Sequence, residues 1–439
     1  MSVKPTDVHK ILKKSILTDG FDMVLDLKKS HGSQIYDSRK NMFMLDCFSF
    51  FASNPIGCNH PALANKEFIN KIGEIAINKP TNSDIYTVEL AEFVDTFKKI
   101  ATPNHFQHLF FVSGGALGVE NALKTAFDWK VRKNIENGVK EEKGSKVIHF
   151  KEAFHGRTGY TLSLTNTFNP DKTKYFPKFN WPRIINPKVT FPLNSENTGK
   201  VEELEKKALS QIEKAIEKDG DDIASLIIEP IQGEGGDNHF RREFFKNIRK
   251  ICDMHEIMFI LDEVQSGLGL TGKMWAYENY DFKPDMLAFG KKTQVCGCMV
   301  SRRVDEIKDN VFNISSRLNS TWGGNLIDMV RCQKYLEVIK EEKLVKNAEK
   351  QGKQLLEGLI EIQNKYSDKI LNARGVGLMC AFDCISEEKR DQLKAKLYNN
   401  GLIILGCGEK TIRFRPPLNI NTDEIDKILT IINNTLSKF

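Results

Sequence analysis

Between Met258 and Lys292 the chain places two short apolar runs, each ending on charge. Met258-Phe-Ile-Leu261 stops on Asp262 and Glu263, and Met286-Leu-Ala-Phe289 stops on Gly290, Lys291 and Lys292. Short apolar runs bounded by turn signals read as strands buried on both faces, the pattern of a parallel sheet. No other feature narrows the fold so far, because parallel strands are joined by crossovers, usually helical. Ligands of such sheets sit beyond the carboxyl ends of the strands. One strand end therefore presents a carboxylate and another a lysine.

The flanking sequence keeps the same alternation. Gln107–Val112 reads as a strand, Ser113-Gly114-Gly115-Ala116 as a turn, and Val119–Trp129 as a helix. Lys146–Phe150, Ser225–Ile228 and Gln294–Val300 read as further strands, with helices at Phe240–His255 and from about Ile327 to Glu341. Strands alternating with helices across residues 85–330 predict an α/β fold with a mostly parallel, doubly wound sheet. Residues 165–197 are rich in Asn, Pro and Lys and read as a long surface excursion. Short strands at Gly377–Phe382, Leu402–Leu405 and Thr411–Phe414, then a helix from about Thr422, predict a smaller α+β domain. The expected division is an N-terminal segment 1–60, a large domain 61–335 and a small domain 336–439. The aromatics between Cys47 and Pro55 suit either a core or the wall of a substrate tunnel.

Composition removes several classes of function. The net charge of +6, from 64 basic and 58 acidic residues, is spread thinly and gives no sign of nucleic acid. Nine scattered cysteines with no C-x-x-C spacing suggest a reducing compartment, with no disulfide framework and no metal site. The N-terminus lacks an apolar signal core, and no apolar run reaches the roughly 18 residues of a membrane helix. A cytoplasmic enzyme is expected. Two nucleotide motifs are decoys. Gly267, Gly269 and Gly272 spell G-x-G-x-x-G, but Asp262–Ser266 separates them from their strand. Gly267–Lys273 spells a P-loop, but Met274 stands where a magnesium-binding Ser or Thr is needed. The stretch reads as a flexible glycine loop.

An acid and a lysine in one pocket suit pyridoxal phosphate, with the lysine as carbonyl partner and the acid facing the pyridine nitrogen. Taken alone, the same residues fit a pair of solvated strand ends equally well. Three other segments have a similar double reading. The Ser-Gly-Gly turn before a helix offers free N–H groups to a phosphate, or is a tight turn binding nothing. Phe154 stacks on a ring or joins the core, and Arg157 forks onto a carboxylate or faces solvent. Glu234, flanked by Gly233 and Gly235-Gly236, is a loop charge or a movable acid in the pocket.

Read together, SGGALGVENALK, FHGR, EPIQGEGG, LDEVQSGLGLTGK, PDMLAFGKK, NSTWGGN and IRFRPPL occur in an order that resembles the class III aminotransferases. These are pyridoxal 5'-phosphate enzymes of fold type I, and the likeness spans roughly residues 50 to 420. The FGKK, FHGRTGYTLSLTNT and SRLNSTWGGN segments are similar to members of the class that act on the ε-amino group of L-lysine. The usual A-K-G around the lysine is here Gly290-Lys291-Lys292, and alignment of F-G-K with A-K favours Lys291. The resemblance implies catalytic roles for Lys291 and Asp262. It implies a phosphate turn at Gly115 and Ala116, with Phe154 and Val264 on the two ring faces and Gln265 at the ring hydroxyl. Thr321 would reach the phosphate across a homodimer interface.

The implied reaction moves the ε-amino group of L-lysine to 2-oxoglutarate, giving 2-aminoadipate 6-semialdehyde, which cyclises, and L-glutamate. Arg157 is the candidate for the distant lysine carboxylate and Arg413 for the near carboxylate of 2-oxoglutarate. Glu234 would neutralise Arg413 while lysine is bound. Another ω-aminotransferase, using ornithine or 4-aminobutyrate, is the nearest alternative. A non-catalytic sensor that binds the same cofactor is the alternative from another class.

Overall fold

The computed structural model describes residues 3–439. An N-terminal ribbon comes first, β1 (Gln34–Asp37) antiparallel to β2 (Met42–Asp46). The large sheet opens with β3 (Phe106–Val112), β4 (Lys146–Phe150), β5 (Arg183–Ile184) and β6 (Ile223–Ile228). A hairpin of β7 (Ile231–Gln232) and β8 (Asn238–His239) intervenes. Then β9 (Met258–Asp262), β10 (Met286–Phe289) and β11 (Cys296–Ser301) complete the sheet, in the order β3-β11-β10-β9-β6-β4-β5. All pairs from β10 to β5 are parallel; β11 alone runs against its neighbours.

Side-chain alternation fills two cores. Phe259 and Leu261 of β9 join a cluster on one face of the sheet, and Met258 and Ile260 join another on the opposite face. That is why the run reads as continuously apolar. The register sets Ala288 of β10 beside Asp262 of β9. The two strands thus end level, and Asp262 and Lys291 emerge at the same edge.

The C-terminal part holds β12 (Ile370–Val376), β13 (Met379–Cys384), β14 (Leu402–Ile403), β15 (Leu405–Cys407) and β16 (Thr411–Phe414). Four of these form an antiparallel sheet, β12-β13-β16-β15. β14 instead pairs with β2, Leu402 beside Leu45, which ties the N-terminal ribbon to the C-terminal part. The helices Leu326–Glu341 and Leu344–Lys365 meet at Glu342 and Lys343, where Lys343 is left-handed.

The structure corrects several expectations. The stretch 165–197 is not all excursion: β5 within it is the edge strand beside β4, too short to show a period. β12 has no strand signature in the sequence because a bulge between Leu371 and Arg374 breaks its alternation. The Leu402–Leu405 run splits between two sheets. Phe50 and Phe51 are not core: Ser49 to Ala52 all have positive φ, and the Phe51 side chain is exposed. The Gly267–Gly272 loop is buried and packed rather than flexible. A Cβ on Gly272, which sits at φ +77, would fall 2.9 Å from Glu349 Cβ, and Gly269 N donates to Met274 O. Its backbone is committed to packing, which leaves no cradle for a nucleotide.

Candidate active site

A cavity of about 570 Å³ opens at the carboxyl ends of β4, β6, β9 and β10. Of the residues named from sequence, Gly115, Ala116, Phe154, Arg157, Glu234, Asp262, Val264, Gln265 and Lys291 line it. Arg413 lies behind the lining. Thr321 lies outside it, exposed, its carbonyl accepting from Ser83 Oγ at 3.4 Å.

At one end the helix Gly115–Glu136 begins, with Gly114 as its cap at φ 111°. The first-turn N–H groups of a helix have no intrahelical partner and suit a phosphate. A Cβ on Gly115 would fall 2.8 Å from Val264 Cγ1, so only glycine lets the turn approach β9 this closely. Val264 N in turn donates to Asp262 Oδ1 at 3.0 Å.

Asp262 is buried, and its other oxygen lies 2.8 Å from His155 Nδ1. His155 is itself buried and fixes the plane of the carboxylate. A second acid, Glu229, lines the same cavity and accepts from Phe154 N at 3.0 Å and Gly233 N at 3.2 Å. Burial pushes the Glu229 carboxyl up to about 7. Neither His155 nor Glu229 was singled out from sequence. Both stood inside recognised motifs, but their contacts join segments far apart in the chain. Glu263, next to Asp262, points the opposite way. It accepts from Ala276 N at 2.7 Å and Tyr277 N at 2.9 Å and pins the buried glycine loop.

The two lysines also separate. Lys292 turns from the cavity and donates to Gln265 O at 2.7 Å. Lys291, at φ 53°, faces the cavity. Burial, helped by the nearby Arg413 charge, lowers its amine from 10.5 to about 8. The neutral amine is the nucleophile, so its fraction should rise with pH through about 8 and level off roughly one unit above that. In the cofactor-free chain, reductive methylation of Lys291 with formaldehyde, followed by mass spectrometry, should therefore plateau near pH 9. A rate that keeps climbing to pH 10.5, as for surface lysines, would contradict this.

The far end carries the charge pattern that selects substrates. Arg413 is 2 % exposed, and its Nη2 donates to Glu234 Oε2 at 2.7 Å. Glu234 Oε1 accepts from Lys172 Nζ at 2.5 Å. Burial works against the Glu234 charge, but Arg413 and Lys172 outweigh it and hold the carboxyl below its ordinary value. Gln265 Oε1 accepts from Arg415 Nε at 3.1 Å, and Arg415 pairs with Asp237 at 2.5 Å. The glycines around Glu234 do not loosen its backbone as the sequence suggests. Gly408 N donates to Glu234 O, and a Cβ on Gly408 would fall 2.8 Å from Gly235 O. The main chain is clamped there, so movement of this acid is confined to its side chain.

Pyridoxal phosphate fits these residues. The glycine turn that Val264 closes suits its phosphate, the oriented carboxylate suits a pyridinium nitrogen, and an amine at about 8 suits its carbonyl.

The sequence matches the model of the aminotransferase class-III family over residues 18–436. The L-lysine-epsilon aminotransferase of Mycobacterium bovis is 50% identical over 433 residues, 98% of this chain and 96% of that protein. The mitochondrial 4-aminobutyrate aminotransferase of Homo sapiens is 32% identical, over 94% of this chain and 84% of that protein. Among solved structures, the lysine aminotransferase from M. tuberculosis in its internal aldimine form superposes with a TM-score of 0.97 at 49% identity. It covers 99% of this chain and 100% of its own. With the cavity, these likenesses extend over nearly the whole length: the chain belongs to the class III aminotransferases, fold type I enzymes whose cofactor is pyridoxal 5'-phosphate.

Proposed function

We propose that the enzyme transfers the ε-amino group of L-lysine to 2-oxoglutarate. Bound pyridoxal phosphate supplies the carbonyl that receives the amine and the ring that accepts electrons. Lys291 holds and moves the proton at the reacting carbon, its lowered basicity letting it act in both directions near neutral pH. Asp262, oriented by His155, would place its negative charge opposite the ring nitrogen of the bound cofactor. With the cofactor bound, Phe154 and Val264 would flank the ring, Gln265 would border its hydroxyl edge, and Gly115 and Ala116 would hold the phosphate.

The observation that carries the choice of a donor reacting at a terminal amine is the Arg413–Glu234 pair at 2.7 Å, and the likeness to L-lysine-epsilon aminotransferase supports lysine among such donors. A donor reacting at its amine end brings no carboxylate near the cofactor, so a bare Arg413 would be an unpaired buried charge. Glu234 neutralises it. The acceptor brings a carboxylate beside its keto group, which replaces Glu234 on Arg413. Arg157, exposed at the cavity mouth, receives the distant lysine carboxylate. A homodimer in the cytoplasm is part of the same reading, with the partner completing the phosphate site through the threonine that corresponds to Thr321. So is the division at 1–60, 61–335 and 336–439, supported by the pairing of β2 with β14.

Glu234→Ala should slow the lysine half-reaction by about tenfold or more, the scale of a lost charged hydrogen bond. The 2-oxoglutarate half-reaction should be unchanged or somewhat faster. Single-turnover stopped-flow resolves each half, and equal slowing of both would reject the switch. Ornithine and 4-aminobutyrate assayed beside lysine test the choice of donor.

A further inference from the structure

Glu234 stands between two cavities. On one side is the active site; on the other is a polar chamber of about 190 Å³, lined by Lys172, Arg390, Lys394 and Gly408 among others. Among the described residues, Glu234 alone lines both. Its two oxygens are divided between two cations, Oε2 to Arg413 and Oε1 to Lys172. We propose that Lys172 is the positioning residue that receives Glu234 in the rear chamber when a dicarboxylate takes its place on Arg413.

The other cations of the chamber have different commitments. Arg390 donates to Gly408 O and Glu409 O and pairs with Glu387 and Asp391. Lys394 lies 3.6 Å from Asp391. Lys172 is aimed at Glu234, with its ammonium 3.4 Å from Thr167 Oγ1 and 5.7 Å from the centre of the Phe154 ring. It is carried on the short turn Pro170–Lys172, which Asn169 caps through Asp171 N. Because the Glu234 main chain is clamped by Gly408, its side chain can leave Arg413 only by rotation. The chamber provides the room, and Lys172 the counter-charge.

The sign of the effect follows. With Glu234 on Arg413, loss of Lys172 leaves the acid one cation. With Glu234 displaced, the same loss leaves it only Arg390 and Lys394, which are already engaged by Glu387 and Asp391. Lys172 therefore favours the displaced arrangement, the one that binds dicarboxylates, and has little effect on the lysine half-reaction.

The inference rests on Glu234 shielding Arg413, and the test separates the two. Glutarate, a dicarboxylate without a keto group, is titrated calorimetrically into the holoenzyme. Lys172→Met, which keeps the stem and removes the charge, should weaken glutarate binding about tenfold, and Lys172→Arg should restore it. In single turnovers, Lys172→Met should raise the 2-oxoglutarate concentration needed for half-maximal rate about tenfold. The lysine half-reaction should stay within about twofold, as for a partly exposed charge that leaves Arg413 paired. In a Glu234→Gln background, Lys172→Met should add no further loss. Unchanged glutarate binding in Lys172→Met overturns the assignment, as does an equal loss in the Glu234→Gln background. If Glu234→Ala slows both halves alike, the shielding of Arg413 fails and this role falls with it. If Glu234→Ala separates the halves while Lys172→Met leaves glutarate binding intact, only the role of Lys172 is rejected.

Discussion

Lys291→Ala is expected to cut turnover by at least about 10³-fold, within the range for removing a positioned acid–base group and more where attachment is also lost. The reason is geometric. Lys291 is the lysine in the cavity lining, and Lys292, one residue on, is spent on the Gln265 carbonyl. Lys292 therefore cannot substitute for it without unwinding the Lys291–Thr293 turn. Borohydride reduction of the holoenzyme, followed by peptide mapping, should place the pyridoxyl group on Lys291. Recovery of the label on Lys292 would reverse the assignment. Lys292→Met should behave differently: it keeps the label on Lys291 and loses stability by about 1–3 kcal/mol, the cost of leaving a buried carbonyl without its donor.

Asp262→Asn should retain cofactor and lose roughly 10²–10⁴ in turnover, the scale of removing a preorganised charge opposite a developing one. The substitution is nearly isosteric, and the contacts from His155 and Val264 N can still hold the side chain in place. What it removes is the negative charge facing the ring nitrogen. Absorbance should show the cofactor bound while each half-reaction slows; near-normal turnover would remove Asp262 from the mechanism. Equal slowing of both halves distinguishes this variant from Glu234→Ala, which should slow only the lysine half.

How the site reads from sequence differs residue by residue. Asp262 and Lys291 were legible because each follows an apolar run, and a parallel sheet sends both strand ends to one edge. Alternation implies only that Asp262 and Glu263 face opposite ways; the match to the family motif is what points to Asp262. The backbone freedom of Glu234 is less than its neighbours imply. Its glycines suggest a loose loop, whereas the missing side chain of Gly408 lets it approach the Gly235 backbone, and that of Gly235 lets it approach the Glu152 backbone.

The sequence by itself determined the elements whose causes are local. Short apolar runs gave the strands β4, β9, β10 and β16, and a capping Asn421 with Glu424 three residues on gave the last helix its start at Thr422. Ordered motifs gave the family. Only the tertiary structure decided that β11 runs antiparallel, that β14 leaves its neighbours to join β2, and that Lys292 points away. Only it brought His155 to Asp262, and Lys172 and Arg413 to the same carboxylate. These contacts join residues tens to hundreds of positions apart. Periodicity and turn chemistry act over a few neighbours, whereas pairing of distant charges depends on how every intervening element packs.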